Sequence, residues 1–425
     1  MVVVVLAHDR AASLAACLES LLRLAEAPIV SVAVSLDAPA AFEAMAAVAQ
    51  AQDKRVLVWR HAPAPAKGFQ GTALARISAH VRAALDSAFR ETEAKFAILL
   101  EDDLRVADDF LRLFGSTAKF VDAPGGVWCV SAWNDNAATS TGWRSEALQR
   151  TAYFPGLGWM VGRETWERDL RAAWPAAPTT GWDHWIRAAA PVRRRECLFP
   201  EVPRVRHAKT ANSANVRGAS ADRLAKFAFA ENGVAAFEAP PDLAALVRAA
   251  PRISTAGEKS DAEYVVLAVS LPEQLQAVAR PLGMWSTEPR GFSSDGVAVV
   301  RTQGATVLVA DRRRCEALEP AERLVIPLTA RFVAAHGKDV SCDEACRASG
   351  MACADELLYF ADDCDELKNH FACEAGCGHQ LGPELPAYVF DVAQPTHRQC
   401  LVSNGGAVPR CAAKHKSTTR LCVCK

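Results

Sequence analysis

The chain has 425 residues, half of them hydrophobic, and its 48 basic and 49 acidic residues leave a formal charge of −1. That length admits about two to four domains and a large core, and the near-neutral balance excludes a dedicated nucleic-acid binder, which relies on a basic surface. No apolar run reaches the roughly 18 residues of a membrane span. The opening "MVVVVLAHDR" lacks the basic start and long apolar run of a signal peptide. It reads as a strand that begins at once, which suggests that a further segment precedes it.

Taken in order, "VVVVLA" is a predicted strand and "AASLAACLESLLRLA" a helix with apolar spacing of three and four. "VSVAVSLD", "AAFEAMAAVAQAQ" and "RVLVWRH" repeat the alternation, and the long helix "GTALARISAHVRAALDSAFRE" leads into a fourth strand, "KFAILLEDD". This order implies a mostly parallel sheet covered on both faces, with ligands beyond the carboxyl ends of its strands. Asp37 and the acids Glu101, Asp102 and Asp103 fall at such ends, and Arg10 follows one closely. No glycine-rich phosphate loop follows the first strand, so a metal held by acids is the substitute if a nucleotide binds.

Beyond the acids, "VADDFLRLFGSTAKFV" is a helix that Asp108 is expected to cap, and "VWCVSAWNDN" is a strand entering a polar loop. "YFPGLGWMV" is a tight turn, and "GWDHWIR" places Asp183 and His184 between Trp182 and Trp185 at a helix start. An Ala- and Pro-rich linker begins near Phe237. "YVVLAVS", "GVAVVRTQ" and "ATVLVADRR" then read as strands of a small α/β module. The expected domains are residues 1–250, a linker over 251–259, the small module at 260–337 and a cysteine-rich module at 338–425.

Ten of the 14 cysteines lie between Cys342 and Cys424. Such density marks an oxidising compartment and a disulfide-stapled module, and ten thiols allow five bridges. Zinc is the alternative, because "CDEAC" and "CVC" bring thiols close, although the paired C-x2-C knuckles of zinc modules are absent.

Three adjacent acids at the end of an apolar strand need an explanation, since like charges repel and burial penalises each. Helix capping is the bland one, but with Asp108 as the cap the three acids are left over. A divalent cation bridging a diphosphate is the other, and carboxylate oxygens suit Mn2+ or Mg2+. Asp183 is either a structural carboxylate satisfied by backbone amides or a general base in a partly desolvated aromatic site. On the residues alone both readings stand. His80, on the long helix, and "KGFQG" ahead of it carry bland readings of packing and turn.

The ordered set "AHDR", "VSLD", "KGFQG", "LLEDDLRVADDF", "WCVSAWNDN", "FPGLGWM", "WDHWIR" and "FPEVPR" resembles the N-acetylglucosaminyltransferase I family, which includes the protein O-mannose β-1,2-N-acetylglucosaminyltransferase. The resemblance covers roughly residues 1 to 245. It implies a nucleotide-diphospho-sugar transferase domain of GT-A type and UDP-N-acetylglucosamine as donor. It further implies an inverting reaction, a mannose of a protein-linked glycan as acceptor (the N-glycan arm favoured over O-mannose), and the Golgi lumen as compartment. Asp103 matches the protein ligand of Mn2+, and Glu101 and Asp102 match contacts to donor sugar and ribose. Arg10, Asp37 and His80 match nucleotide contacts, Leu157 a wall of the donor site, and Asp183 the catalytic base. Cys129 and Cys197 match a disulfide pair. A second family disulfide has no counterpart, since His8 and Ala38 stand at its positions. Gly181 replaces an aromatic beside the base, and Ser213 lies at about the place of a donor-covering loop residue. The C-terminal "SCDEACRASGMAC", "CLVSNG" and "RCAAKHKSTTRLCVC" resemble the cysteine-rich region of N-acetylglucosaminyltransferase V, whose compartment is the same. The family's type II membrane anchor has no match in this chain.

Overall fold

The computed structural model describes residues 1–61, 73–124, 126–138, 142–176, 181–188, 192, 195–208, 227–258, 260–271, 274–286, 288–302, 305–337, 339–403 and 407–425. "KGFQG" and Ser213 lie outside them. The chain forms two compact units. The first is Met1–Leu243 with Arg290–Ser294 and Ala298–Gln303; the second is Ala244–Pro289, Asp295–Val297 and Gly304–Lys425.

In the first unit the predicted alternation is present as β1 (Val2–Ala7), α1 (Ala11–Leu22), β2 (Ser31–Leu36), α2 (Phe42–Gln52), β3 (Leu57–Arg60), α3 (Ala73–Arg90) and β4 (Phe96–Glu101). There follow β5 (Leu104–Val106), α4 (Phe110–Thr117), β6 (Val127–Ser131), β7 (Leu148–Thr151), β8 (Trp159–Gly162), β9 (Glu196–Pro200) and β10 (Val205–His207). The eight-stranded sheet has the order β3-β2-β1-β4-β8-β6-β9-β7. The pairs β1–β2, β1–β4, β2–β3 and β6–β9 are parallel, and β8 and β7 run antiparallel to their neighbours. The expected α/β fold with a mostly parallel sheet is therefore what the chain adopts.

Strand alternation explains why "VVVV" is apolar on every residue. Val3 and Val5 pack with Leu14, Leu18 and Leu21 of α1, Met45 of α2 and Phe110 and Phe114 of α4. Val2 and Val4 turn to the opposite face, against Val81, Ala84, Leu85 and Ala88 of α3. A strand covered on both sides has no polar face to offer. Each fully buried leucine in these layers contributes about 1.5–3 kcal/mol relative to exposure.

One local expectation is corrected. Asp109, not Asp108, holds the N-cap position of α4, and its side chain makes no cap bond. Its carboxylate instead accepts from Arg204, Nε to Oδ1 at 3.0 Å and Nη2 to Oδ2 at 3.1 Å, with both side chains fully buried. In the Ala- and Pro-rich stretch that begins near Phe237, Leu243–Ala249 is helical, as its Ala and Leu favour.

In the second unit Tyr264–Val269 and Thr306–Asp311 pair in parallel, and Leu275–Leu282 is a helix. Arg331–Ala335 pairs antiparallel with Thr418–Cys424, and a five-stranded sheet forms around that C-terminal strand. The bridges are Cys342–Cys422, Cys346–Cys424, Cys353–Cys411, Cys364–Cys377 and Cys373–Cys400. All ten cysteines are consumed, so the zinc alternative fails here. Asp343 lies beside the Cys353–Cys411 sulfurs, but a disulfide offers no thiolate to a metal. Arg420, fully buried, donates to the carbonyls of Arg410 at 2.7 Å and Leu385 at 3.3 Å.

Asp362 in the same unit accepts from the Ser403 amide at 2.7 Å. Burial pushes its carboxyl up to about 6, against the pull of that amide and of Arg313. The folded chain thus keeps a proton that the unfolded chain has released. The stability this contributes is full below the ordinary aspartate value of about 3.9 and lost as pH rises through about 6. Asp362→Asn is expected to remove a pH-dependent term of at most about 3 kcal/mol. Melting temperatures of the two proteins at pH 4 and pH 7 test it: an unchanged difference between the two pH values in the variant would refute it.

Candidate active site

The parallel half of the sheet brings distant residues to one end. Leu6 pairs with Glu101 and Ala7 with Leu36, so the carboxyl ends of β1, β2 and β4 are level. Arg10, at the entry to α1, stands directly over the acids. Its Nη1 donates to Asp103 Oδ2 at 2.9 Å and its Nη2 to Asp102 Oδ1. Asp102 and Asp103 are 1% and 5% exposed, yet Asp102 Oδ2 and Asp103 Oδ1 are buried with no hydrogen-bond partner. Burial first, then the charges of Asp103, Asp102 and Asp183, push Glu101 up to about 8. Burial likewise lifts Asp102 to about 6, although Arg10 opposes it. One guanidinium does not offset three acids, and two unpartnered carboxylate oxygens in the interior are costly. This is the donor set that a hard divalent cation satisfies.

Asp37, just past β2, is held from two sides. His8 Nδ1 lies 2.6 Å from its Oδ1 and His80 Nδ1 3.5 Å from its Oδ2. His80 sits on the buried face of α3, its Nε2 2.8 Å from Ser35 Oγ, and burial lowers its pKa to about 4 despite the nearby Asp37. It is neutral at physiological pH. His8, at one position of the family disulfide that the resemblance leaves without cysteines, thus makes a polar link to Asp37, the residue before the other position, Ala38.

The turn Gly156–Leu157–Gly158 has left-handed backbone at all three residues, with φ of 74°, 34° and 62°. A Cβ at Gly158 would come within 2.9 Å of Val205 Cγ1, so the glycine lets this turn approach β10. Leu157, with no such freedom, is held in a rarely adopted conformation. The Cys129–Cys197 disulfide bridges directly paired residues of β6 and β9.

Asp183 lies in the short helix Trp182–Ala188, whose Trp182 stacks on Trp159 of β8 at a ring separation of 5.9 Å. Because β8 pairs with β4, this places Asp183 on the side of the sheet end where its charge acts on Glu101. Asp183 Oδ2 accepts from Arg187 Nη1 at 2.8 Å, one helical turn on, and Arg187 is anchored by donating to the Phe154 carbonyl at 3.1 Å. Any side chain at Gly181 would press on Asp183, since a Cβ there would lie 2.8 Å from its Oδ1.

Two residues near the site were not identified from the sequence. Arg187 had a signal, the i, i+4 spacing from Asp183. His207 had none: the antiparallel β5–β10 ribbon pairs it with Leu104, and its Nδ1 comes to 3.8 Å from Asp103 Oδ1. Burial lowers its pKa, with Asp103 acting against that and Arg10 reinforcing it.

An α/β sheet with an acidic cluster at the carboxyl end of its parallel strands is the class that fold and site define together. The chain belongs to the GNT-I family, whose model matches residues 1–247. It is 38% identical over 133 residues to an Arabidopsis thaliana alpha-1,3-mannosyl-glycoprotein 2-beta-N-acetylglucosaminyltransferase, a stretch covering 31% of this chain and 29% of that relative. Among solved structures, the mannosyltransferase PcManGT from Pyrobaculum calidifontis, in complex with GDP-Man and Mn2+, aligns with a TM-score of 0.30 at 16% identity, covering 48% of this chain and 56% of that one. The galactosyltransferase LgtC, solved with donor and acceptor sugar analogues, aligns at 0.31 and 14%, covering 53% and 94%. At those scores neither structure bears on this chain's chemistry. Among the described residues no helix is long and apolar enough to cross a membrane.

Proposed function

We propose that the first unit is an inverting, metal-dependent GT-A glycosyltransferase. It transfers N-acetylglucosamine from UDP-N-acetylglucosamine in β-1,2 linkage to a mannose of a protein-linked glycan, with an N-glycan arm as the preferred acceptor. The observation that carries this reading is that Asp102 and Asp103 share one guanidinium and each keeps a second, buried oxygen without a hydrogen-bond partner, at the ligand-binding end of a parallel sheet. Membership of the GNT-I family supports the choice of sugar and acceptor.

Asp103 would hold Mn2+, with Asp102 and Glu101 next to it, and the bound cation supplies charge neutralisation for the departing diphosphate. Arg10 keeps Asp102 and Asp103 in place and adds positive charge where the phosphates arrive. Asp37 and the neutral His80 face the nucleoside, with Leu157 as a wall of the pocket. Asp183, oriented by Arg187 and walled by Trp182, takes the proton of the mannose hydroxyl as that oxygen attacks C1 of the sugar. Attack opposite the leaving UDP turns an α-linked donor into a β-glycoside, through an oxocarbenium-like transition state of the kind that inverting glycosidases share. Alignment of the two sugars by these rigid elements contributes much of the rate. The disulfide-rich second unit fits an oxidising lumen, and the Golgi is the proposed compartment.

The test is transfer from UDP-N-acetylglucosamine to an oligomannose N-glycan, with and without Mn2+, for wild type and Asp103→Ala. Metal-dependent transfer that the variant lacks is the expected result. Metal-dependent UDP binding without transfer to that acceptor, but with transfer to an O-mannosyl peptide, would move the acceptor and keep the enzyme. Absence of both transfer and UDP binding would overturn the reading.

A further inference from the structure

The metal site as read above has one protein ligand, yet a second donor stands beside it. We propose that His207 is a second protein ligand of the divalent cation, shared with Asp103, and that it biases the site toward Mn2+ over Mg2+. The inference rests on the glycosyltransferase reading only for the presence of a cation.

His207 is fixed in position by backbone. It ends β10, opposite Leu104 of β5, and the next amide, Ala208, donates to the Asp103 carbonyl at 2.8 Å. The histidine therefore cannot drift away from Asp103 without breaking the ribbon. Its Nδ1 lies 3.8 Å from Asp103 Oδ1, with the side chains 15% and 7% exposed. That separation is too long for a hydrogen bond. It is shorter than two ligand bonds of about 2.1 Å laid end to end, so one ion can touch both atoms. The carboxylate is already divided for the purpose. Oδ2 is taken by Arg10, whereas Oδ1, on the His207 side, is buried without a partner.

The imidazole then decides which ion is held best. Mg2+ takes oxygen ligands in a strict octahedron and gains little from a ring nitrogen, while later divalent metals accept nitrogen readily. A mixed nitrogen and oxygen set raises affinity for Mn2+ and Co2+ over that for Mg2+.

The experiment loads wild-type protein with Mn2+ in the presence of UDP and records the electron spin echo. Modulation from a directly bound imidazole nitrogen is expected, and it should vanish in His207→Ala. That variant should also bind Mn2+ about tenfold or more weakly, with Mg2+ affinity unchanged within about twofold. If Mn2+ binds and Asp103→Ala abolishes binding, but the wild-type echo carries no nitrogen coupling, His207 is not a ligand and the metal site survives without it. If Asp103→Ala binds Mn2+ as well as wild type does, the cation is elsewhere, and both the metal site and its second ligand are overturned.

Discussion

Asp183→Asn is expected to slow transfer by about 10²–10⁴-fold, the range that a positioned general base supplies, while UDP binding stays as in wild type. The amide is the same shape and keeps an oxygen to accept from Arg187, so the short helix and its stacking of Trp182 on Trp159 should persist. What it loses is the capacity to take a proton. The base reading predicts a fall in kcat with little change in the donor KM and an unchanged melting temperature. A structural carboxylate predicts the reverse: a destabilised protein whose folded fraction works at nearly full rate. A kcat within about threefold of wild type would remove Asp183 from the reaction. Arg187→Lys sharpens the test. It keeps the charge but gives up the planar fork that both grips Asp183 and reaches the Phe154 carbonyl. A positioning role there predicts a partial loss of kcat that Asp183→Asn renders invisible in the double variant.

How much of this was legible in the sequence depends on how local the cause was. The β-α alternation to Glu101 is written in periodicity, and the parallel half of the sheet follows from it. That alone puts Arg10, Asp37 and the three acids at one edge. The zinc alternative could not be closed from spacing, because pairing such as Cys342 with Cys422 links positions 80 residues apart. The misplaced cap has the same origin. Capping is chosen by neighbours in sequence, but the carboxylate of Asp109 is claimed by an arginine 95 residues away, and a buried charge takes its counter-charge before it takes an amide. The strands β5 and β10, each of three residues, are too short to show a period, so His207 was invisible although its partner Asp103 was the most conspicuous acid in the chain.

Arg204 supplies the largest expected loss of stability. Its guanidinium is fully buried and fully used: Nε and Nη2 on Asp109, Nη1 on the Val202 carbonyl at 2.5 Å, and Nη2 also on the Ser145 carbonyl at 2.5 Å. Asp109 in turn accepts from the Val234 amide at 2.9 Å. Arg204→Met leaves a buried carboxylate without its counter-charge and takes a donor from two carbonyls, which costs about 3–5 kcal/mol. At roughly 2–4 °C per kcal/mol for a unit of this size, the melting temperature should fall by about 10 °C. Asp109→Leu should cost as much, since it strands the guanidinium, and the double variant should cost less than the sum because neither charge is then left alone. Simple additivity in that cycle would show that the two residues act independently. The pair also bears on the site. The Arg204 backbone carbonyl receives the Ala107 amide at 2.9 Å, just beyond β5, and its own amide donates to Ala132 at 2.7 Å. Arg204 therefore sets where the β5–β10 ribbon begins, and that ribbon carries both Asp103's neighbour Leu104 and His207. The double variant, in which neither charge is left alone, should still bind Mn2+ more weakly than wild type, because removing two charges restores electrostatic balance but not the guanidinium bonds to the Val202 and Ser145 carbonyls that hold the chain entering the ribbon.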